Sequence, residues 1–239
     1  MKKTMIAVIW VTTLTILLLG VPWISGLIAD LLDYQAIDPD GAYAWISVHH
    51  LVQALIFLLI IVAINRFKPL PFGFGWGNKG VGKRYVLLFT LIFGLGSLVT
   101  HVLMTLTSTL QPFAYPLTTL NITGQLGFQL FLSGPSEELI FRGFAITMLG
   151  LLIKARVWKG KVSGANLIAA VIFGLAHVNF SFAPQEVRYH LPQVLTAIIL
   201  GIFYGDCYEK SGSVYYPMIM HSISNVIMVG LTIIATLMI

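Results

Sequence analysis

"QLGFQLFLSGPSEELIFRGFAITMLGLLI", residues 125–153, is a long apolar stretch that carries three charged side chains near its middle. These are Glu137, Glu138 and Arg142. An apolar run of about 20 residues is typical of a membrane-spanning helix. Charged residues cost about 2.5–3.5 kcal/mol each at the centre of such a helix and mark functional sites by default. The stretch therefore predicts a transmembrane helix that contains a polar site.

The composition of the whole chain indicates the same environment. Of 239 residues, 57% are hydrophobic and 10% are charged, and the mean hydropathy is +0.89. Soluble domains carry about 25% charged residues. We therefore predict an all-α, polytopic integral membrane helical bundle of about seven or eight transmembrane helices, forming a single domain over residues 1–239. The seven spans that can be placed are 5–29, 42–65, 85–110, 125–153, 164–182, 191–208 and 213–238.

The basic residues predict the orientation of the bundle. Residues 66–84 and 154–161 hold nine of the 14 Lys and Arg residues, whereas loop 30–40 is acidic and loop 111–124 has no charge. Because Lys and Arg concentrate in cytoplasmic loops, we expect the N-terminus and both basic loops in the cytoplasm and the C-terminus outside. A plasma-membrane protein is predicted. Since orientation accounts for the net charge of +5, no nucleic-acid partner is expected.

Polar residues in two other spans occur at a depth similar to that of the glutamates. Glu138 lies 16 residues before Lys154, and His177 lies 16 residues after Lys161. At 1.5 Å per residue, each is roughly 24 Å from the cytoplasmic end of its span. The sequence therefore predicts that these side chains meet within the membrane.

Spacing along the helices predicts which side chains share a face. Glu138 and Arg142 are four residues apart and are expected to pair, whereas Glu137 points about 100° away and lacks this partner. His221 and Asn225 are also four residues apart and project from one face. The predicted site residues are Glu137, Glu138, Arg142, His177, His221 and Asn225.

These residue types support two mechanisms for hydrolysing an acyl bond. In the first, Glu137 and His177 act as a general base on water, and His221 and Asn225 donate hydrogen bonds to the oxyanion. In the second, Glu138, His177 and His221 bind a catalytic zinc ion, with Glu137 as the base. We favour the mechanism that requires no cofactor, because the sequence lacks an H-E-x-x-H zinc motif.

Other reactive side chains are assigned structural roles. Ser136 and Cys207 are the nearest candidate nucleophiles, but neither belongs to a patterned set with His and Asp, and we expect Cys207 to be a packing residue. This single cysteine excludes a disulfide within the chain. His49, His50 and His101 are predicted to be interfacial or helix-contact histidines, and the alternative is that they line the substrate cavity.

Three motifs resemble, in order and spacing, those of the CAAX-protease and bacteriocin-processing family, also called Abi. They are "EELIFRG" at 137–143, "FGLAH" at 173–177 and "GSVYYPMIMHSISN" at 212–225. Members of this family are intramembrane endopeptidases related to the CAAX prenyl proteases. The resemblance covers roughly residues 125–230, the predicted catalytic core, whereas residues 1–124 are similar only in hydrophobicity.

The resemblance implies a role for each motif. Glu137 and His177 would activate water, and His221 and Asn225 would stabilise the tetrahedral intermediate. The Glu–Arg pair of the first motif would orient the site, or its glutamate, Glu138, would bind metal. The predicted function is hydrolysis of a peptide bond in a membrane-associated or membrane-embedded protein or peptide, with the lipid bilayer as the other partner.

Two alternatives come from other classes of protein. A proton-coupled transporter would use Glu137 and Glu138 as a proton relay, although no inverted repeat typical of transporters is found in the sequence. A non-catalytic immunity or scaffold protein would keep the same fold without the activity.

Overall fold

The computed structural model describes residues 2–182 and 185–238, most of which are helical. Short antiparallel hairpins, β1–β2 and β3–β4, interrupt the helices. In chain order the elements are α1 (Lys2–Ala29), α2 (Ala44–Phe67), α3 (Lys79–Leu106), α4 (Thr119–Phe128), a π-helical segment (Gln129–Ser133), α5 (Gly134–Glu138), a second π-helical segment (Leu139–Ile146), α6 (Thr147–Leu149), β1 (Arg156–Val157), β2 (Val162–Ser163), α7 (Gly164–Leu175), β3 (Asn179–Phe182), β4 (Gln185–Arg188), α8 (Leu191–Ser211) and α9 (Tyr215–Met238).

Five of the helices, α1, α2, α3, α8 and α9, are long and apolar enough to cross a membrane. The continuous helical run from Thr119 to Leu149 makes a sixth rod of about 40 Å. Large apolar side chains cover the outer surface of the bundle, as on α3, where Leu87 is 61% and Ile92 is 72% exposed. Such a surface suits contact with hydrocarbon and not with water. The predicted all-α membrane bundle is confirmed.

The predicted span 164–182 is wrong in its second half. α7 ends at Leu175 and is 12 residues long, or roughly 18 Å, which is short of the ~30 Å hydrocarbon layer. The following residues form strand β3, whose Asn179 pairs with Arg188 of β4. Asn179–Phe182 reads "NFSF", so polar and aromatic residues alternate with the period of a strand.

The predicted span 85–110 starts and ends too late. α3 begins at Lys79 because the side chain of Asn78 caps it, accepting a hydrogen bond from the backbone N–H of Val81 at 3.1 Å. The loop before α3 is fastened to the turn between α8 and α9. The Asn78 N–H donates to the Ser211 carbonyl at 2.7 Å, and the Val214 N–H donates to the Gly73 carbonyl at 3.0 Å. The ends of α2, α3, α8 and α9 therefore meet at one side of the bundle.

The N-terminus of α2 is held by one buried carboxylate in the acidic loop. Asp38 is 3% exposed and accepts hydrogen bonds from the backbone N–H groups of Ala42, Tyr43 and Ala44. Burial opposes ionisation, but these bonds, led by that from Ala44, offset it and hold the pKa of Asp38 below its usual range. The carboxylate therefore fixes the turn that sets α2 beside α1.

The hydrophobic core surrounds the helical run Thr119–Leu149. Its second π-helical segment is buried along its whole length and packs against α7 and α2. α1 lies along α2, and the Trp10 indole of α1 donates a hydrogen bond to the Met148 carbonyl at 2.9 Å. α7 packs on α8, and α3 packs on α9. The charged middle of the run is thus enclosed by other helices and shielded from lipid.

Candidate active site

The two glutamates lie in an α-helical turn between two π-helical segments. Pro135 has no backbone N–H and would clash with the carbonyl of the preceding turn in a regular helix. The wider π-helical turn Gln129–Ser133 ends directly before α5 and accommodates this proline. π-bulges of this kind are frequent at functional sites. The local sequence therefore favours an irregular helix at the position of the charged residues.

A glycine lets this irregular helix approach α9 closely. A Cβ atom at Gly134 would lie 2.7 Å from the backbone nitrogen of Ser222 and 2.9 Å from its hydroxyl oxygen. No real side chain tolerates such distances. The close approach of α5 and α9 brings the glutamates next to His221.

Glu138 and Arg142 form a fully buried ion pair, as the spacing predicts. The Arg142 Nη1 atom donates to the Glu138 Oε1 atom at 2.8 Å, and the two side chains are 1% and 0% exposed. The guanidinium lies 4.5 Å from the ring centroid of Phe173 and 5.3 Å from that of Tyr204. His221 Nδ1 donates to the same carboxylate oxygen at 2.8 Å. Glu138 is therefore committed to holding Arg142 and His221.

Glu137 faces an open space between two imidazole rings. Its side chain is 16% exposed. Oε1 lies 3.8 Å from His50 Nε2, and Oε2 lies 3.7 Å from His221 Nε2. These distances are longer than direct hydrogen bonds. The carboxylate is thus close to two imidazole nitrogens but not engaged by them, an arrangement that leaves room for a water molecule.

His177 lies at the same cavity but is not paired with Glu137. Its Nδ1 atom donates to the Phe173 carbonyl at 2.9 Å, because a carbonyl oxygen can only accept. In the neutral ring the Nε2 atom then carries a lone pair. Among the described residues, the ion pairs of Glu137 are with His50 and His221 and do not include His177. Glu137 and His177 therefore line one cavity without a direct ion pair between them in the described residues.

Asn225 lines the cavity one turn beyond His221. Its amide nitrogen donates to the Ser133 hydroxyl oxygen at 3.0 Å. A primary amide has two N–H groups, so one donor is left after this bond. The two nitrogens of the His221 ring face carboxylates, and the remaining N–H of Asn225 is the donor that is better placed for an oxyanion.

A cavity of about 1030 Å³ contains Glu137, His177, His221 and Asn225. Its walls include apolar side chains of α1 and α2, such as Trp23, Leu27 and Trp45. Typical small-molecule sites have about 300–1000 Å³. The space beside the carboxylate is thus large enough for a peptide segment.

Three polar residues around Glu137 were not assigned to the site from sequence. His50 Nδ1 is 2.8 Å from the Ser136 hydroxyl oxygen and 3.2 Å from the Gln53 amide nitrogen. His50, Gln53 and Ser136 are all buried. His50 thus makes the predicted helix contact, through Ser136, and also lines the cavity, which was the alternative interpretation. The available signal was the spacing of His50 and Gln53, which puts two polar residues on one face of an apolar helix.

His101 differs from His50 and agrees with its predicted role. Its ring bonds the Ser97 carbonyl at 2.8 Å and the Thr232 hydroxyl at 3.1 Å, so it joins α3 to α9. Cys207 is fully buried, as expected for a packing residue.

The predicted zinc ligands do not form a metal site. Glu138 Oε1 already accepts from Arg142 and His221, and His221 faces it through Nδ1. Across residues 2–182 and 185–238, no group of three His, Cys, Asp or Glu side chains is arranged to hold a metal ion. The described structure therefore does not bring Glu138, His177 and His221 together as one ligand group.

Residues 119–227 match a family model described as type II CAAX prenyl endopeptidase Rce1-like. No curated protein and no solved structure matches the chain.

Proposed function

We propose that this chain, whose residues 119–227 match the Rce1-like family model, is a CAAX-type intramembrane endopeptidase in which Glu137 activates water. The family expected from the three sequence motifs is confirmed by this match. The observation that carries the proposal is the Glu137 carboxylate, which faces a peptide-sized cavity between two imidazole nitrogens at 3.7 and 3.8 Å.

The first step is attack of water on the scissile carbonyl carbon. Water between Glu137 Oε2 and the Nε2 atom of His221 donates one proton to the carboxylate as its oxygen bonds to the carbon. The electron pair of the C=O bond moves to the carbonyl oxygen, where the remaining N–H of Asn225 stabilises the negative charge. His221, whose Nε2 atom carries a lone pair, accepts from the second O–H of the water and orients it. His177 lines the same cavity.

The second step breaks the C–N bond. The electron pair on the oxyanion re-forms the C=O bond, and the leaving nitrogen takes the proton that Glu137 received from water. The products are a new carboxyl group and a new amine, and Glu137 is again a carboxylate. No covalent bond to the protein forms, so neither Ser136 nor Cys207 is needed as a nucleophile.

The buried Glu138–Arg142 pair fixes the orientation of His221 beside Glu137. One carboxylate oxygen of Glu138 accepts hydrogen bonds from Arg142 and His221, and the second bond keeps the proton of His221 on Nδ1. His221 then presents its Nε2 lone pair to the water that lies beside Glu137. Arg142 is held in turn between the rings of Phe173 and Tyr204. We assign Glu138 and Arg142 to positioning and not to the proton transfers.

The substrate we propose is a membrane-associated protein or peptide, of which an unfolded segment enters the cavity. Aromatic and aliphatic side chains of α1 and α2 line one wall, opposite the catalytic groups. Because the outer surface of the bundle is apolar, substrates that partition into the bilayer reach this wall without crossing water. A prenylated protein C-terminus and an unmodified membrane peptide are the two substrate types to compare.

The test is cleavage of both substrate types by the purified chain in lipid nanodiscs, with product masses determined by mass spectrometry. We expect two products whose masses sum to the substrate plus one water, and no hydroxamate when hydroxylamine is added. Protein carrying Glu137→Gln, purified identically, controls for contaminating proteases. Hydroxamate formation would show an acyl-enzyme and refute direct attack by water, and equal cleavage by the Glu137→Gln protein would refute the proposal.

A further inference from the structure

His50, which lies outside the three motifs, occupies the side of Glu137 opposite His221. Its Nε2 atom is 3.8 Å from Glu137 Oε1, whereas His221 Nε2 is 3.7 Å from Oε2. His50 is 7% exposed, and its ring packs edge-on against Phe128, with the centroids 5.0 Å apart. Each oxygen of the carboxylate therefore has its own imidazole.

The neighbours of His50 determine which nitrogen carries the proton. The Gln53 amide nitrogen lies 3.2 Å from His50 Nδ1 and can only donate. Nδ1 therefore accepts, and in the neutral ring the proton is on Nε2. In this tautomer the single proton of the Ser136 hydroxyl is donated to Nδ1 at 2.8 Å and not to the Ser133 carbonyl at 3.1 Å. The hydrogen-bond network thus directs an N–H group of His50 towards Glu137.

His221 presents the opposite polarity. Its Nδ1 proton is donated to Glu138, so its Nε2 atom faces Glu137 with a lone pair. One oxygen of Glu137 meets a hydrogen-bond donor, and the other meets an acceptor. Only the second oxygen shares its space with a group that can hold the water.

We propose that His50 is a positioning residue that holds Glu137 Oε1, so that Oε2 is the oxygen that takes the proton from water. The inference rests on the proposed function of Glu137 as the base. The gap of 3.8 Å closes to a hydrogen bond when substrate fills the cavity, because catalytic hydrogen bonds are often long in free enzymes and tighten in the complex. Rotation of the carboxylate is then restricted by α2, an element outside the region that matches the family model.

Two substitutions separate positioning of the base from a purely structural role. The side-chain amide of Gln reaches about as far as Nε2 of His, so His50→Gln keeps a donor for Glu137. The shorter amide of Asn reproduces the Nδ1 position, so His50→Asn keeps the contacts with Ser136 and Gln53 but loses that donor. If His50 only connected α2 to α5, His50→Asn would retain more activity than His50→Gln.

The experiment measures kcat and KM for both variants in nanodiscs, with the unmodified membrane peptide of the cleavage test as the reporter peptide. We expect His50→Asn to lower kcat by roughly 10–100-fold with KM nearly unchanged, the size of effect that misplacing a catalytic group produces. We expect His50→Gln to keep kcat within about 5-fold of wild type, since the donor remains. His101→Asn is the matched control, because His101 is equally buried and joins two helices away from Glu137.

The outcomes separate this inference from the proposed function. Two results would refute the role of His50 while Glu137→Gln still abolishes turnover. Either His50→Asn retains the wild-type kcat, or the kcat of His50→Gln is no higher than that of His50→Asn. In both cases Glu137 remains the proposed base. If Glu137→Gln retains activity, the proposed function itself fails. Where His50→Asn does not give monodisperse protein, His50→Ala takes its place in the comparison with His50→Gln.

Discussion

Replacing Arg142 by methionine leaves the carboxylate of Glu138 buried without its cation. The two side chains are 1% and 0% exposed and 2.8 Å apart, so water does not replace the lost partner. Removing one member of a buried ion pair typically costs about 3–5 kcal/mol. His221 Nδ1 still donates to Glu138, so we expect the lower end, about 3 kcal/mol. The stacking of the guanidinium on Phe173 and Tyr204 is lost as well.

This cost is measurable as a shift in the thermal unfolding midpoint in detergent. For a chain of about 150–250 residues, 1 kcal/mol corresponds to roughly 2–4 °C, so Arg142→Met should lower Tm by roughly 6–12 °C. Arg188→Met is the matched control, since Arg188 pairs with Glu186 at 2.7 Å but its side chain is 75% exposed. Exposed pairs contribute about 0–1 kcal/mol. Equal Tm values for the two variants would refute the account of the buried pair.

Four further predictions concern separate parts of the chain. Asp38→Asn should destabilise the protein by about 1–3 kcal/mol at pH 7. The stabilisation by Asp38 is fully present above about pH 4, the pKa of an unfolded Asp, and is lost as the pH falls through its lower folded-state pKa. The unfolding free energies of wild type and variant, measured at decreasing pH, should therefore converge. Gly134→Ala should lower both Tm and kcat, because its Cβ would lie 2.7 Å from Ser222 N, and unchanged values would contradict the close helix contact. In a Cys207→Ser background, a cysteine at position 79 should react with an impermeant reagent only in inverted vesicles, and labelling from outside intact cells would reverse the predicted orientation. Exhaustive chelation should leave the cleavage rate unchanged, whereas stoichiometric zinc with activity lost on chelation and restored by zinc would contradict the metal-free mechanism.

The bundle could be predicted from sequence because hydropathy reports directly on membrane spans. The Glu138–Arg142 pair could also be predicted, since both residues lie on one helix and their spacing sets their contact. The strand at Asn179–Phe182 was mistaken for helix, because a short apolar run carries little information on its period. The alternation of Asn179 and Ser181 with two phenylalanines was the better indication of a strand.

The contacts that depend on packing between helices could not be read from spacing. His50 on α2 and Glu137 on α5 are 87 positions apart, and nothing in the sequence between them fixes their relative depth to within a few ångströms. Similar depth does place Glu137 and His177 at one cavity, but the orientation of the His177 ring is set by its hydrogen bond to the Phe173 carbonyl, which spacing does not predict. Individual contacts between distant helices therefore required the structure.

The most direct test of the central claim is the turnover number of Glu137→Gln compared with that of Glu186→Gln in the same nanodisc assay. Glu186 lies in strand β4 and pairs with an exposed arginine, so its substitution controls for the loss of one carboxylate. If Glu137 is the base, the kcat of Glu137→Gln falls by about 10²–10⁴-fold, although the variant remains folded. The kcat of Glu186→Gln stays at the wild-type value. A Glu137→Gln protein that cleaves the reporter at a rate close to that of wild type would contradict the account.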